Sequence, residues 1–98
     1  QEDVFGIVPE KIPFQVRIKF TLPASDYICE RHWSSGQKIE AFPDGSIILT
    51  ITAQSDMEVI KWVLSYGKEA TLLEPVHLRK KIVEELDCSK KIYCNDNI

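Results

Sequence analysis

The stretch Gln37-Lys38-Ile39-Glu40-Ala41-Phe42-Pro43-Asp44-Gly45-Ser46, continuing into Ile47-Ile48-Leu49-Thr50-Ile51-Thr52-Ala53, decides the fold. Its opening alternates, Ile39 and Ala41 against Lys38, Glu40 and Phe42, as a half-buried strand requires. Pro43 fixes its own φ and Gly45 supplies a positive one, so residues 43–46 read as a turn. The run from Ile47 to Ala53 is dense in β-branched side chains, which favour a pleated surface. Two strands with a tight turn between them predict a β-hairpin.

Upstream, Gln15-Val16-Arg17-Ile18-Lys19-Phe20 alternates in the same way. Leu22-Pro23 ends that strand, and Pro23 suits the first turn of a helix. The spacing predicts a helix from Ala24 to Trp33, with Ala24, Ile28 and Tyr27 inward, broken by Ser34-Ser35-Gly36. Downstream, Ser55-Asp56-Met57-Glu58 reads as a capping box. Val59, Ile60, Val63 and Leu64 then form one apolar stripe, and Gly67 reads as the C-cap. Ala70 to Leu73 is a short fourth strand. Pro75 opens a last helix with Leu78, Ile82 and Leu86 inward, and the polar residues after Asp87 read as a frayed tail.

The order is β-α-β-β-α-β plus a closing helix. It predicts an α+β fold, a ferredoxin-like two-layer sandwich with a four-stranded antiparallel sheet and an extra C-terminal helix. Residues 1–14 read as a linker, with Val4-Phe5-Gly6-Ile7-Val8 apolar enough to pack on a neighbouring domain. Residues 15–87 form the domain and 88–98 the tail. A start at Gln1 rather than Met fits a piece of something longer.

Composition bounds the function. With 98 residues, 44% hydrophobic and 28% charged, the chain matches an ordinary globular domain. A transmembrane helix and a secretory signal find no matching segment. Twelve basic against fifteen acidic residues give a net charge of -3, which argues against a free-standing nucleic-acid binder. The cysteines, Cys29, Cys88 and Cys94, are odd in number and lack a CxxC. A Cys88–Cys94 bridge stays open, but reduced thiols and the cytoplasm are the expectation.

Period-two alternation assigns the sheet faces. If Val16, Ile18 and Phe20 face the helices, Arg17 and Lys19 face away, with Lys38, Glu40, Phe42, Ile48, Thr50, Thr52, Thr71 and Leu73. That open face is expected to be Thr-rich and locally cationic. The bland reading is a solvated surface. The sharper one is a site for an anion or a partner, with Arg17 and Lys19 as donors. A polar corner at Arg31, His32 and Gln37 adjoins it, although basic residues after a helix are favoured electrostatically in any case. RNA-recognition modules share the topology but stack bases on central-strand aromatics, which residues 45–51 lack. Cys29 with His32 lacks an orienting third group for catalysis, and reads as a small buried thiol near a surface histidine. Cys29, His32, Cys88 and Cys94 have no zinc spacing. No catalytic residue, metal or cofactor is predicted.

Several stretches together resemble a known family. Val16-Arg17-Ile18-Lys19-Phe20, Glu30-Arg31-His32-Trp33-Ser34-Ser35-Gly36-Gln37-Lys38-Ile39-Glu40 and Asp44-Gly45-Ser46 are three of them. Trp62-Val63-Leu64-Ser65-Tyr66-Gly67, Leu73-Glu74-Pro75 and Leu78-Arg79 complete the ordered set. They resemble the C-terminal extension (WCX) domain of bacterial WYL-domain transcriptional regulators. Many members carry a His-Pro-Ser-Gln type corner after the tryptophan; here Ser34-Ser35-Gly36-Gln37 keeps only the glutamine.

The resemblance implies a non-catalytic regulatory and dimerisation module. It implies an upstream WYL domain and a winged helix-turn-helix, neither contained in this chain, so that DNA is met only through the missing domain. It implies a homodimer and an anionic nucleotide or oligonucleotide effector, and residues 1–14 would connect to the WYL domain. Arg17, Lys19, Arg31, His32 and Gln37 are the ligand-binding candidates. The alternative is an ACT-like small-molecule-binding domain of the same element order, against which Leu22-Pro23-Ala24-Ser25 replaces the usual Gly-rich first turn. An acylphosphatase-like hydrolase lacks its phosphate-cradling arginine and hairpin asparagine here.

Overall fold

Alternation in the first segment produces β1 (Phe14–Phe20), and the computed structural model, which describes residues 11–95, continues in the order read from the sequence. The elements are α1 (Ala24–Cys29), β2 (Lys38–Ala41), β3 (Ile47–Ala53), α2 (Asp56–Leu64), β4 (Ala70–Glu74) and α3 (Val76–Asn95), with a 3-10 turn at Gly67–Glu69 before β4. The sheet order is β2-β3-β1-β4, and each neighbouring pair is antiparallel. The result is a mixed α+β domain with one four-stranded antiparallel sheet and three helices.

Period two sorts β1, β3 and β4 as expected. Val16, Ile18, Phe20, Leu49 and Ile51 are sealed in the core with Ile47, Ala53 and Leu72. Ile28, Val59, Val63, Leu78 and Ile82 close over them from the helices. Ser55 caps α2, its Oγ accepting from the Glu58 amide at 3.2 Å. Gly45 takes φ +89° in the hairpin turn, and a Cβ there would collide with the Leu22 side chain. Ser25 Oγ donates to the Gly45 carbonyl at 2.7 Å, tying α1 to that turn.

Five expectations are corrected. Helix α1 stops at Cys29, not Trp33. Trp33 instead folds back, its Nε1 donating to the Ile28 carbonyl at 2.9 Å, and it is buried against Trp62 with ring centroids 4.9 Å apart. Tyr27 is exposed rather than inward. Gly67 is not the C-cap of α2; Ser65 holds that position, and Gly67, at φ +58°, opens the 3-10 turn. Helix α3 does not fray after Asp87 but continues to Asn95, because that stretch holds no Gly or Pro to break the helix already running through it. The third member of its inner stripe, Leu86, remains 53% exposed.

The helices pack on β1 and β4 and on one another. With six residues, α1 spans only about 9 Å. All four residues of β2 are therefore exposed, including Ile39 and Ala41, which alternation placed inward. The predicted linker at 1–14 lies mostly outside the described residues; its last member, Phe14, belongs to β1.

Candidate ligand-facing surface

The register converts alternation into rows across the open face. Lys38 pairs with Thr50, Thr50 with Arg17, and Arg17 with Glu74. The next row is Glu40, Ile48, Lys19 and Thr71. At a strand spacing of about 4.8 Å, Lys38 and Arg17 stand roughly 10 Å apart on one surface. Arg17 is half-buried and Lys19 exposed, both away from the helices.

This face is not simply cationic. Arg17 Nη1 lies 3.1 Å from Glu74 Oε2. The Asp44 carboxyl is held below its usual range, first by the Ser46 hydroxyl and amide that donate to it at 2.6 and 2.9 Å, and also by the charge of Lys19. Lys19 and Asp44 line a shallow depression of about 330 Å³ with Phe42, Pro43, Ser46 and Ile48. The expectation of a cationic face is therefore corrected to a face of alternating sign.

The corner is built differently from the sheet. Gln37 Oε1 accepts from the Trp33 and Ser34 amides at 2.6 and 3.3 Å, and its Nε2 donates to the Arg31 carbonyl at 3.3 Å. Ser34 is buried, and its Oγ accepts from the Thr52 amide at 3.3 Å. The Gln37 amide thus clasps the α1–β2 connection and leaves little capacity for a ligand. Arg31 places its guanidinium carbon 3.9 Å from the Tyr27 ring centroid, a cation–π contact. His32 is exposed.

Arg17 and Lys19 share the sheet face, whereas Arg31, His32 and Gln37 belong to the connection beside it. The two groups meet at Lys38, which follows Gln37 and shares a row with Arg17. Alternation alone places Lys38 on this face as a third cation beside Arg17 and Lys19. Glu74 was not readable as a partner, because the β1–β4 register shifts between Arg17 and Ile18.

Cys29 is exposed, correcting the buried thiol expected there, and His32 falls outside α1, so the two do not share a helix side. Among the described residues no His, Cys, Asp and Glu side chains are grouped to hold a metal ion. No helix among them is long and apolar enough to cross a membrane.

Aromatic packing fixes the helix layer behind the sheet. Trp62 and Tyr66 each set an edge against Phe20, with centroids 5.6 and 5.4 Å away, and Trp62 stands 5.5 Å from Tyr66. Burial pushes the Tyr66 phenol above its ordinary range. Trp62 is half-buried among these aromatic rings.

Architecture and surface define a small mixed α+β domain with a sealed helix-side core and a polar, uncovered sheet face. The family model for the WCX domain matches residues 12–88, and the chain belongs to that family, the C-terminal extension domains of WYL-type regulators. No curated protein matches the chain.

Proposed function

We propose that this chain is a non-catalytic regulatory and dimerisation module of a bacterial, cytoplasmic WYL-type transcriptional regulator. It acts beside a WYL domain and a DNA-binding helix-turn-helix in the same protein, with the residues before β1 as the connector. The family match over residues 12–88 carries this reading. The strand order β2-β3-β1-β4 with helices on one side fits the ferredoxin-like arrangement and leaves the other sheet face for an effector or an adjoining domain.

On that face Arg17 and Lys19 supply donors for an anionic effector such as a nucleotide or an oligonucleotide. Arg17 exchanges Glu74 for the ligand, and Arg31 and His32 extend the surface at the corner. Gln37 serves by holding the corner's shape rather than by touching the ligand.

The test uses the intact regulator. Replacing Arg17 and Lys19 together by alanine is expected to abolish the effector response in an operator-binding assay while the domain melts normally. An unchanged response removes both residues from the function.

A further inference from the structure

Between the end of α2, the edge strand β4 and the middle of α3 lies a groove of about 500 Å³. That volume is within the range of small-ligand sites. Its walls are apolar: Val63, Leu72, Ile82, Val83 and Leu86 dominate them. Leu86 continues the inner stripe of Leu78 and Ile82, yet it is 53% exposed, and Val83 beside it is 60% exposed. The stripe therefore runs beyond the protein that covers it, and an apolar body in the groove would complete it.

The charged and hydroxyl side chains lining the groove all donate, and none is acidic: Lys68, Thr71 and Arg79. Arg79 is fixed in the wall, its Nη1 donating to the Leu72 carbonyl at 2.9 Å. That contact also blunts the β4 edge against strand addition. The Lys68 ammonium has no ion pair or hydrogen bond among the described residues. An apolar trough with an unneutralised cation at its rim is complementary to a molecule with an apolar tail and a single negative head.

We propose that this groove binds an amphiphilic monocarboxylate, an alkyl or aryl acid of about ten carbons, whose tail lies on Val83 and Leu86 and whose carboxylate accepts from Lys68. The site is separate from the sheet face and does not depend on the effector reading above.

Decanoate is the probe, titrated below its micelle concentration into the labelled 98-residue chain and followed by amide chemical shifts. Binding at roughly 10–100 μM is expected from the size of the ligand. Shifts should centre on Lys68, Thr71, Leu72 and Val83. Decan-1-ol and decylammonium should bind about tenfold more weakly, and Lys68→Gln should cost decanoate about tenfold. Val83→Glu, at an exposed position, should abolish binding with the amide spectrum otherwise retained.

Equal binding of decan-1-ol, indifference to Lys68→Gln, shifts mapping elsewhere, or no binding at 1 mM would each overturn the proposal. Sedimentation velocity distinguishes the competing occupant. If the free chain is a dimer that Val83→Glu converts to monomer, a second copy fills the groove and the proposal fails.

Discussion

Arg17 shows how one side chain can satisfy two demands. Alternation sends it to the open face, and Glu74 waits there at 3.1 Å. Arg17 keeps 37% and Glu74 59% of its side chain exposed, so the pair adds only about 0–1 kcal/mol to stability and leaves the guanidinium available for exchange. Asp56 is set more firmly. Lys81 Nζ donates to its Oδ2 at 2.9 Å and His77 Nε2 stands 3.4 Å from Oδ1, while Asp56 itself opens α2. The Lys81 hydrogen bond, with a smaller contribution from His77, holds the Asp56 carboxyl below its usual range. A depressed carboxyl stabilises the fold above its unfolded pKa and loses that contribution as pH falls through the folded value. Asp56→Asn is therefore expected to lower stability by about 0.5–1 kcal/mol at pH 7, after screening is allowed for. Urea melts should show the deficit shrinking below about pH 4, the ordinary aspartate range; a deficit independent of pH would assign the effect to something other than charge.

At the scale of elements, the α1–β2 connection is held by one amide. Gln37→Ala leaves the Trp33 and Ser34 amides without their acceptor, and about 1–3 kcal/mol of destabilisation is expected in thermal or urea unfolding. Gln37→Glu keeps the acceptor for the two amides but turns an oxygen towards the Arg31 carbonyl, so an intermediate loss is expected. This connection also marks where the sequence stopped being legible. Strand identity followed from period two because Val16, Ile18, Leu49 and Ile51 have a sheet and helices to bury against. The end of α1 was not legible, because Trp33 sits at a helix-compatible spacing but is drawn out of the helix by its bond to the Ile28 carbonyl and its packing on Trp62. Ile39 and Ala41 fail for the opposite reason: their pattern is correct, but among the described residues no helix packs closely on β2. For the candidate site, Arg17 and Lys19 were placed by local alternation. The roles of Gln37 and Glu74 depend on a loop clasp and a register shift, which sequence spacing does not encode.

On the scale of the whole molecule, the core lies between the sheet and the near halves of the helices, and α3 outruns it. Beyond Ile82 the described part of α3 is exposed except for half-buried Ser89. Ending the chain after Asp87 should therefore change the melting temperature by no more than a few degrees, since none of the described residues it removes is buried in the core. A collapse of the thermal transition on that truncation would show that the distal helix supports the core. The family assignment stands at this scale too, because the WCX match spans nearly every element rather than a single motif.

The packing of Trp33 against Trp62 has a practical corollary. The chain's two indoles are neighbours 4.9 Å apart, one from the α1–β2 connection and one from α2. Their strong transitions should couple, giving a far-ultraviolet exciton couplet in the dichroism that exists only while those two pieces of backbone are docked. The chain thus carries a native optical gauge of its own tertiary closure, readable without any label.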